Sequence, residues 1–187
     1  MKHLLLAALA LCFFLDSNAQ VSVNGVNVPT TLKTSSSSLT LNGAGVRKKA
    51  FFKVYVLGLY LPQKSKNIDE MLNANNEIAV RLEITSGVVN SDNMSEAIIE
   101  GFEKSLNGNI APMKSQIDNF ISIFSNEKIK EGDVFILDYA PNVGVKSYKN
   151  GKLLATTAGE AFKDALFNIW LGKNPVDANL KTKLLGN

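Results

Sequence analysis

The sequence predicts an α+β domain built on one large antiparallel sheet with a layer of helices on one face. Three observations support this. Short apolar segments joined by Asn-Gly pairs are typical of antiparallel hairpins. Residues 92–124 instead repeat their apolar side chains at helical spacing. A second group of strand-like segments, residues 134–155, precedes a further helical pattern from residue 157 onward. Helices grouped between and after antiparallel strands define this fold class.

Residues 1–19 have the features of a secretory signal peptide, and we expect residues 20–187 to form the mature domain. Lys2 supplies positive charge, residues 4–15 form an apolar core, and residues 17–19 supply the small side chains of a cleavage site. The apolar run is too short to span a bilayer. The segment therefore predicts a periplasmic or secreted protein, cleaved near Ala19 and without a stable membrane span.

Cleavage would remove the only cysteine, Cys12, and the only histidine, His3. The mature chain would then lack a disulfide, a thiolate nucleophile, an imidazole base and a zinc site of the Cys/His type. We expect no metal and no cofactor. A lipid anchor on Cys12 is less favoured than cleavage near Ala19, because Leu11 is large where a lipoprotein signal requires a small residue.

The mature chain has the size of one domain, and no linker or repeat divides it. Its formal net charge is +3, and its lysines are scattered rather than clustered. This distribution argues against a nucleic-acid partner.

The first half of the mature chain reads mainly as strands. An alternating pattern around Asn-Gly predicts a hairpin over residues 21–28. Strands are expected over residues 39–41 and 45–61, with a turn at Asn42-Gly43 between them. A short helix over residues 67–73 precedes a strand over residues 78–84, whose apolar side chains alternate with polar ones.

Helices and a meander follow. Asp92 is expected to cap a helix reaching residue 107, and Pro112 to begin a second helix. Strands are expected over residues 134–139, 145–148 and 152–155. The stretch 157–160 reads as a capping box that opens a helix ending at Gly172, and Pro175 with Asp177 begins a final helix to about residue 185.

Six segments fall in a characteristic order along the chain. They are residues 43–47, residues 52–61, residues 138–144, the Asn-Gly-Lys at 150–152, the Ile-Trp-Leu-Gly at 169–172 and the Pro-Val-Asp at 175–177. Together they resemble the chalcone isomerase-like family, in its bacterial branch. The resemblance runs from about residue 21 to residue 185. It implies an open-faced β-sandwich with a ligand cleft between a large antiparallel sheet and its helices. Members of the family are either isomerases that close a chalcone ring or binders of fatty acids.

The resemblance also implies site residues. Arg47 matches the arginine that holds the isomerase substrate. Four positions that carry hydrogen-bonding side chains in the isomerases are occupied here by Tyr55, Met94, Gly101 and Ile169. Three of these replacements cannot donate a side-chain hydrogen bond to a developing oxyanion. Each donor lost from such a site costs about 3 to 4 kcal/mol of transition-state stabilisation.

We therefore expect a non-catalytic binder of a fatty acid or a similar small amphipathic anion. The expected ligand-binding residues are Arg47, Tyr55, Met94, Ile98, Gly101, Phe102 and Ile169. Two alternatives stay open: an intramolecular lyase in which Arg47 and Tyr55 orient an enone-bearing substrate, and an envelope interaction or scaffold protein without a ligand. Without the resemblance, a solvated basic turn with Lys48 and Lys49 would be the simpler interpretation of Arg47.

Overall fold

The architecture comes from a computed structural model that describes residues 19–73, 75–125 and 128–187. Apart from Ala19, the predicted signal peptide with Cys12 and His3 lies outside the described residues. The strands are β1 (Gln20–Val23), β2 (Val26–Pro29), β3 (Thr31–Lys33), β4 (Ser38–Lys49), β5 (Phe52–Leu61), β6 (Ile78–Ile84), β7 (Val134–Ala140), β8 (Gly144–Lys149) and β9 (Lys152–Thr157). The helices are α1 (Ile68–Asn73), α2 (Ser91–Ser105), α3 (Lys114–Ser125), α4 (Glu160–Leu171) and α5 (Ala178–Leu184).

Seven strands, β3 to β9, form one antiparallel sheet in which every strand pairs with its neighbours in chain order. The predicted α+β class is confirmed. The alternation in β6 explains how the sheet takes its helices: Ile78, Val80 and Leu82 belong to the main core, whereas Ala79 between them packs on the opposite face.

The helical layer packs on the sheet through aromatic side chains. Phe102 of α2 contacts Phe120 of α3, with ring centroids 6.1 Å apart, and Phe162 of α4 at 5.6 Å. Phe124 of α3 reaches Phe135 of β7 at 4.9 Å. The apolar stripes predicted for these helices therefore form one core with the sheet.

The opposite face of the sheet has a smaller core of its own. The hairpin β1–β2, predicted from its Asn-Gly pair, places Val26 and Val28 against Leu39, Leu41 and Tyr60. The helices thus lie on one face, as predicted, while this hairpin covers part of the other.

The turn predicted at Asn42-Gly43 is wrong, because β4 continues through it. The pairing of β4 with β5 shifts register between Leu41 and Gly43, so Asn42 is the extra residue of a β-bulge. Its buried side chain donates to the Leu184 carbonyl at 2.8 Å and accepts from the Ser65 amide at 2.8 Å. The strand predicted over residues 45–61 is instead two strands, which turn at residues 50–51.

Two predicted helix caps also differ from the structure. Helix α2 is capped by Asn90 rather than Asp92, because Asn90 and Asn93 exchange side-chain to main-chain hydrogen bonds in a capping box. The capping box predicted at residues 157–160 does not form. Thr157 still belongs to β9, and α4 begins after Gly159 without a side-chain cap.

Helix α5 lies directly on β4 at two glycines. A Cβ atom on Gly43 would collide with the main-chain carbonyl oxygens of Lys183 and Leu184, and one on Gly45 would lie 2.8 Å from the Lys183 Cβ. The close approach of strand and helix therefore depends on the absence of side chains at these positions.

We predict that Gly43→Ala lowers the free energy of unfolding by about 3 kcal/mol, since neither partner carbonyl can move without shifting α5. The measurement is urea unfolding followed by circular dichroism. Gly87→Ala is the matched control, because its Cβ would meet nothing closer than a Glu131 carboxylate oxygen at 4.0 Å. Equal stability of the two variants would contradict the role assigned to Gly43.

Candidate functional site

A cavity of about 390 Å³ lies between the sheet and the helical layer. Strands β4 to β7 form its floor, and helices α2, α3 and α4 its roof. Most of its wall is apolar. The apolar side chains are Ala50, Phe52, Val54, Leu82, Val88, Val89, Met94, Ala97, Ile98, Phe120, Phe124, Phe135, Leu137, Leu166, Ile169 and Val176.

Two of the polar side chains at the cavity, Arg47 and Tyr55, lie opposite each other on β4 and β5. Arg47 is the cross-strand partner of Tyr55, and the next pair is Lys48 with Lys53, which leaves Val54 as an extra residue on β5. This second bulge allows two successive residues, Val54 and Tyr55, to line the cavity. Local irregularity of the hairpin thus brings a guanidinium and a phenol to one place.

Tyr55 is buried and bonded to the helical layer. Its hydroxyl oxygen accepts a hydrogen bond from the Trp170 indole nitrogen at 2.9 Å. Burial raises the pKa of Tyr55 above its ordinary value, although Trp170 and the charge of Arg47 act in the opposite direction. The hydroxyl therefore keeps its proton at neutral pH. In the bond with Trp170 the Tyr55 oxygen acts only as an acceptor, so its proton is free to be donated to another group.

Arg47 is partly exposed and has a counter-ion. Its Nη1 lies 3.5 Å from the Asp177 carboxylate oxygen Oδ2, with side-chain exposures of 19% and 13%. It also donates to the Lys48 carbonyl. The same Asp177 oxygen accepts from the Lys48 amide at 3.3 Å, while Oδ1 caps α5 by accepting from the Leu180 amide at 3.0 Å. The ion pair is long, so Arg47 retains donor capacity towards the cavity.

Further polar residues reach the cavity: Lys49 from β4, and Asn93 and Glu100 from α2. A hydrogen bond from Lys104 lowers the pKa of Glu100, and the charges of Lys49 and Arg47 lower it further. Glu100 is consequently ionised at neutral pH. This side of the cavity therefore carries the carboxylate of Glu100 close to the cations Arg47 and Lys49.

The structure brings together five of the seven residues expected to bind a ligand. Arg47, Tyr55, Met94, Ile98 and Ile169 all line the cavity. The other two, Gly101 and Phe102, are not among its lining residues.

Gly101 and Phe102 instead serve the packing of α2. A Cβ on Gly101 would lie 3.0 Å from Ile169 Cγ2, so this glycine lets α2 approach α4. Phe102 is fully buried in the aromatic core. Residues 101 and 102 share the helical face of residues 94, 97 and 98. They lie further along α2, where this face packs on Ile169 and the aromatic core instead of lining the cavity.

Sequence reasoning did not assign Trp170 and Asp177 to the site. Trp170 was expected only within the helix ending at Gly172, and Asp177 only at the start of the last helix. No local pattern reports that they meet residues 47 and 55, because those contacts join segments more than 100 positions apart. The segments at residues 169–172 and 175–177, which carry part of the family resemblance and contain these two residues, were the available signals.

Within the part of the chain that the structure describes, no group of three or more His, Cys, Asp or Glu side chains could hold a metal ion. In the same residues, no helix combines the length and the apolar character needed to cross a bilayer.

The fold and the cavity define a class of protein: an α+β sandwich with a cavity between its sheet and its helices. The chain belongs to the chalcone isomerase-like family, because the family model matches residues 20–186. The resemblance inferred from the sequence is thereby confirmed.

Solved structures agree in fold. Among 37 matching chains is a crystal structure of a fatty-acid binding protein from Arabidopsis thaliana, which superposes with a TM-score of 0.69. The alignment covers 86% of this chain and 92% of that one, at 19% sequence identity. No curated protein matches the sequence significantly. The structural likeness shows a shared fold.

We predict that Tyr55→Phe lowers the free energy of unfolding by about 1 to 3 kcal/mol, because the buried Trp170 indole loses its acceptor. Thermal or urea unfolding measures this change. In a Trp170→Phe background the same substitution should cost less, since no indole donor is left unpaired. Equal costs in both backgrounds would show that this hydrogen bond contributes nothing to stability.

Proposed function

We propose that this protein is a non-catalytic binder of a fatty acid or a similar small amphipathic anion. The observation that carries the proposal is the arrangement of one cavity: apolar side chains line most of it, and Arg47 with Tyr55 lies at one side. An acyl chain would occupy the apolar part, and its carboxylate would meet the guanidinium and the phenol.

The donors fit a carboxylate. A guanidinium presents a planar fork of N–H groups that matches the two oxygens of a carboxylate. The Tyr55 hydroxyl adds a third donor, and its raised pKa keeps the proton in place. A hydrogen-bond relay would then run from the Trp170 indole through Tyr55 to the ligand.

The apolar wall supplies the driving force. Burial of each methylene contributes about 0.8 kcal/mol, so a chain of about twelve carbons contributes roughly 10 kcal/mol before the entropy of association is subtracted. The cavity volume of about 390 Å³ lies within the range of small-molecule sites.

Two further points support binding over catalysis. The structural neighbour from Arabidopsis thaliana is described as a fatty-acid binding protein. In this chain, Met94 and Ile169 place a thioether and an alkyl group on the cavity wall where an isomerase would need hydrogen-bond donors. If residues 1–19 act as a signal peptide, the protein would meet its ligand in the periplasm or outside the cell.

Trp170 is the only tryptophan, and it lines the cavity, so its fluorescence reports on occupancy directly. We predict that dodecanoate changes this fluorescence, and that Arg47→Ala weakens binding about 10- to 100-fold through loss of a charge-assisted hydrogen bond. Arg81→Ala is the matched control. Arg81 pairs with Glu83 at 2.6 Å and does not line the cavity.

Native mass spectrometry of protein purified from its own host supplies an independent readout. The binder proposal would be refuted if two results were found together. One is that Arg47→Ala and Arg81→Ala change the affinity for dodecanoate equally, and the other is that no lipid co-purifies with the protein. Decay of chalcone absorbance above the spontaneous rate, abolished in Arg47→Ala, would favour the lyase instead.

We predict that Asp177→Asn tightens dodecanoate binding about two- to fivefold, the size expected when a long, partly exposed ion pair no longer competes for the guanidinium. Asparagine caps a helix as well as aspartate does, so α5 should keep its first turn. Fluorescence titration measures the change. The affinity for dodecanol, which carries no charge, should be the same in Asp177→Asn as in the wild type.

Asp118→Asn is the control for net charge, because Asp118 is exposed on α3 and pairs with Lys114. A gain of equal size in Asp118→Asn would mean that Asp177 acts only through long-range charge.

A further inference from the structure

The tip of the β4–β5 hairpin carries an unusual pair of side chains. Phe51 is 100% exposed and Phe52 is 51% exposed. Phe52 also lines the cavity, as do its neighbours Lys49 and Ala50 and, from the loop before α2, Val88, which is 46% exposed. Side chains that are both exposed and cavity-lining mark its mouth. The exposed aromatic tip therefore lies beside the opening through which a ligand would pass.

This exposure is not a general property of the surface. The other large apolar side chains exposed in the described residues are aliphatic, and they are distributed over four different parts of the chain: Val21, Ile99, Val143 and Leu153. Phe51 buries nothing in the monomer, and Phe52 leaves about half of its side chain in solvent. Such a patch at a functional opening indicates an interaction surface.

The charged residues of the tip itself, within residues 47–53, are all positive. Lys48, Lys49 and Lys53 flank the two phenylalanines and are exposed. Lys53 bonds to the Asn24 side chain at 2.6 Å, an uncharged partner. Aromatic side chains with lysines beside them suit the boundary of an anionic bilayer, where rings enter the acyl region and ammonium groups stay at the headgroups. A symmetric contact between two copies would bring the lysines of both tips together.

We propose that the β4–β5 hairpin tip docks on the surface of an anionic lipid bilayer and presents the cavity mouth to it. Docking depends only on the residues of the tip and does not require that the cavity bind a ligand. Its use for ligand exchange rests on the proposed function, because a fatty acid could then pass between the bilayer and the cavity without crossing open water.

The experiment is co-sedimentation of the purified protein with vesicles, either of phosphatidylcholine alone or with phosphatidylglycerol added. We expect binding to the anionic vesicles that weakens as salt rises. Phe51→Ser should weaken it about tenfold or more, because the ring can no longer enter the apolar phase. Lys48→Gln should weaken binding at low salt and have less effect at high salt. Neither Phe51 nor Lys48 lines the cavity.

Leu153→Ser is the matched control, since it removes an exposed apolar side chain from β9, at the far edge of the sheet from the tip. All variants keep the rest of the chain, so any contribution of residues 1–18 is the same in each. Equal binding to both kinds of vesicle, or equal loss in Phe51→Ser and Leu153→Ser, would overturn the proposal. Sedimentation showing a dimer that Phe51→Ser dissociates would assign the tip to self-association instead.

The docking test is independent of the proposed function. Dodecanoate titration in solution should give the same affinity for Phe51→Ser as for the wild type. Vesicle binding that depends on Phe51 without any dodecanoate binding by the wild type would uphold docking and refute the fatty-acid proposal. Dodecanoate binding without vesicle binding would refute docking and uphold the fatty-acid proposal.

Discussion

The buried hydrogen bond from the Trp170 indole to the Tyr55 hydroxyl determines where the polar part of an otherwise apolar cavity lies. Each group needs the other, because an indole or a phenol buried without a partner is costly. The bond also joins α4 to the sheet at the position where Tyr55 faces Arg47. This contact therefore holds the Tyr55 hydroxyl between the sheet and α4 and leaves its proton free for another acceptor.

Asp177 connects the same region to the end of the chain. One of its carboxylate oxygens caps α5, and the other faces Arg47 and the Lys48 amide. A ligand carboxylate would therefore enter an environment that already balances the guanidinium. The guanidinium is stabilised beside the apolar wall because it is partly paired and partly exposed. The ion pair is long, so Arg47 can still bind a second anion.

The sequence was most informative where a regular period repeats. Alternation in residues 78–84 and helical spacing in α2 and α3 predicted both the elements and the faces they bury. It misled at Asn42, where a residue pair typical of turns forms a bulge because its amide is needed against α5. It also misled at Thr157, whose capping role lost to pairing with Val145 in the sheet. Tertiary contacts overrode local preference in both cases.

The candidate site, like the fold, could be predicted from the sequence only in part. Arg47 and Tyr55 came from the resemblance, and the structure places both at the cavity. Their partners Trp170 and Asp177 could not be found in the same way, because a contact between residues far apart in sequence leaves no local pattern. Gly101 and Phe102 illustrate the opposite limit. Helical spacing identifies a buried face, but it does not distinguish a side chain that meets a cavity from one that fills the core.

The separation of these partners in sequence has a consequence for synthesis. Arg47 and Asp177 are 130 positions apart, and Tyr55 and Trp170 are 115 apart. A chain emerging from the ribosome therefore presents β4 and β5 long before α4 and α5 exist to cover them. In that interval water takes the place of the Trp170 indole at the Tyr55 hydroxyl, and the apolar side chains of β5 lack their helical cover.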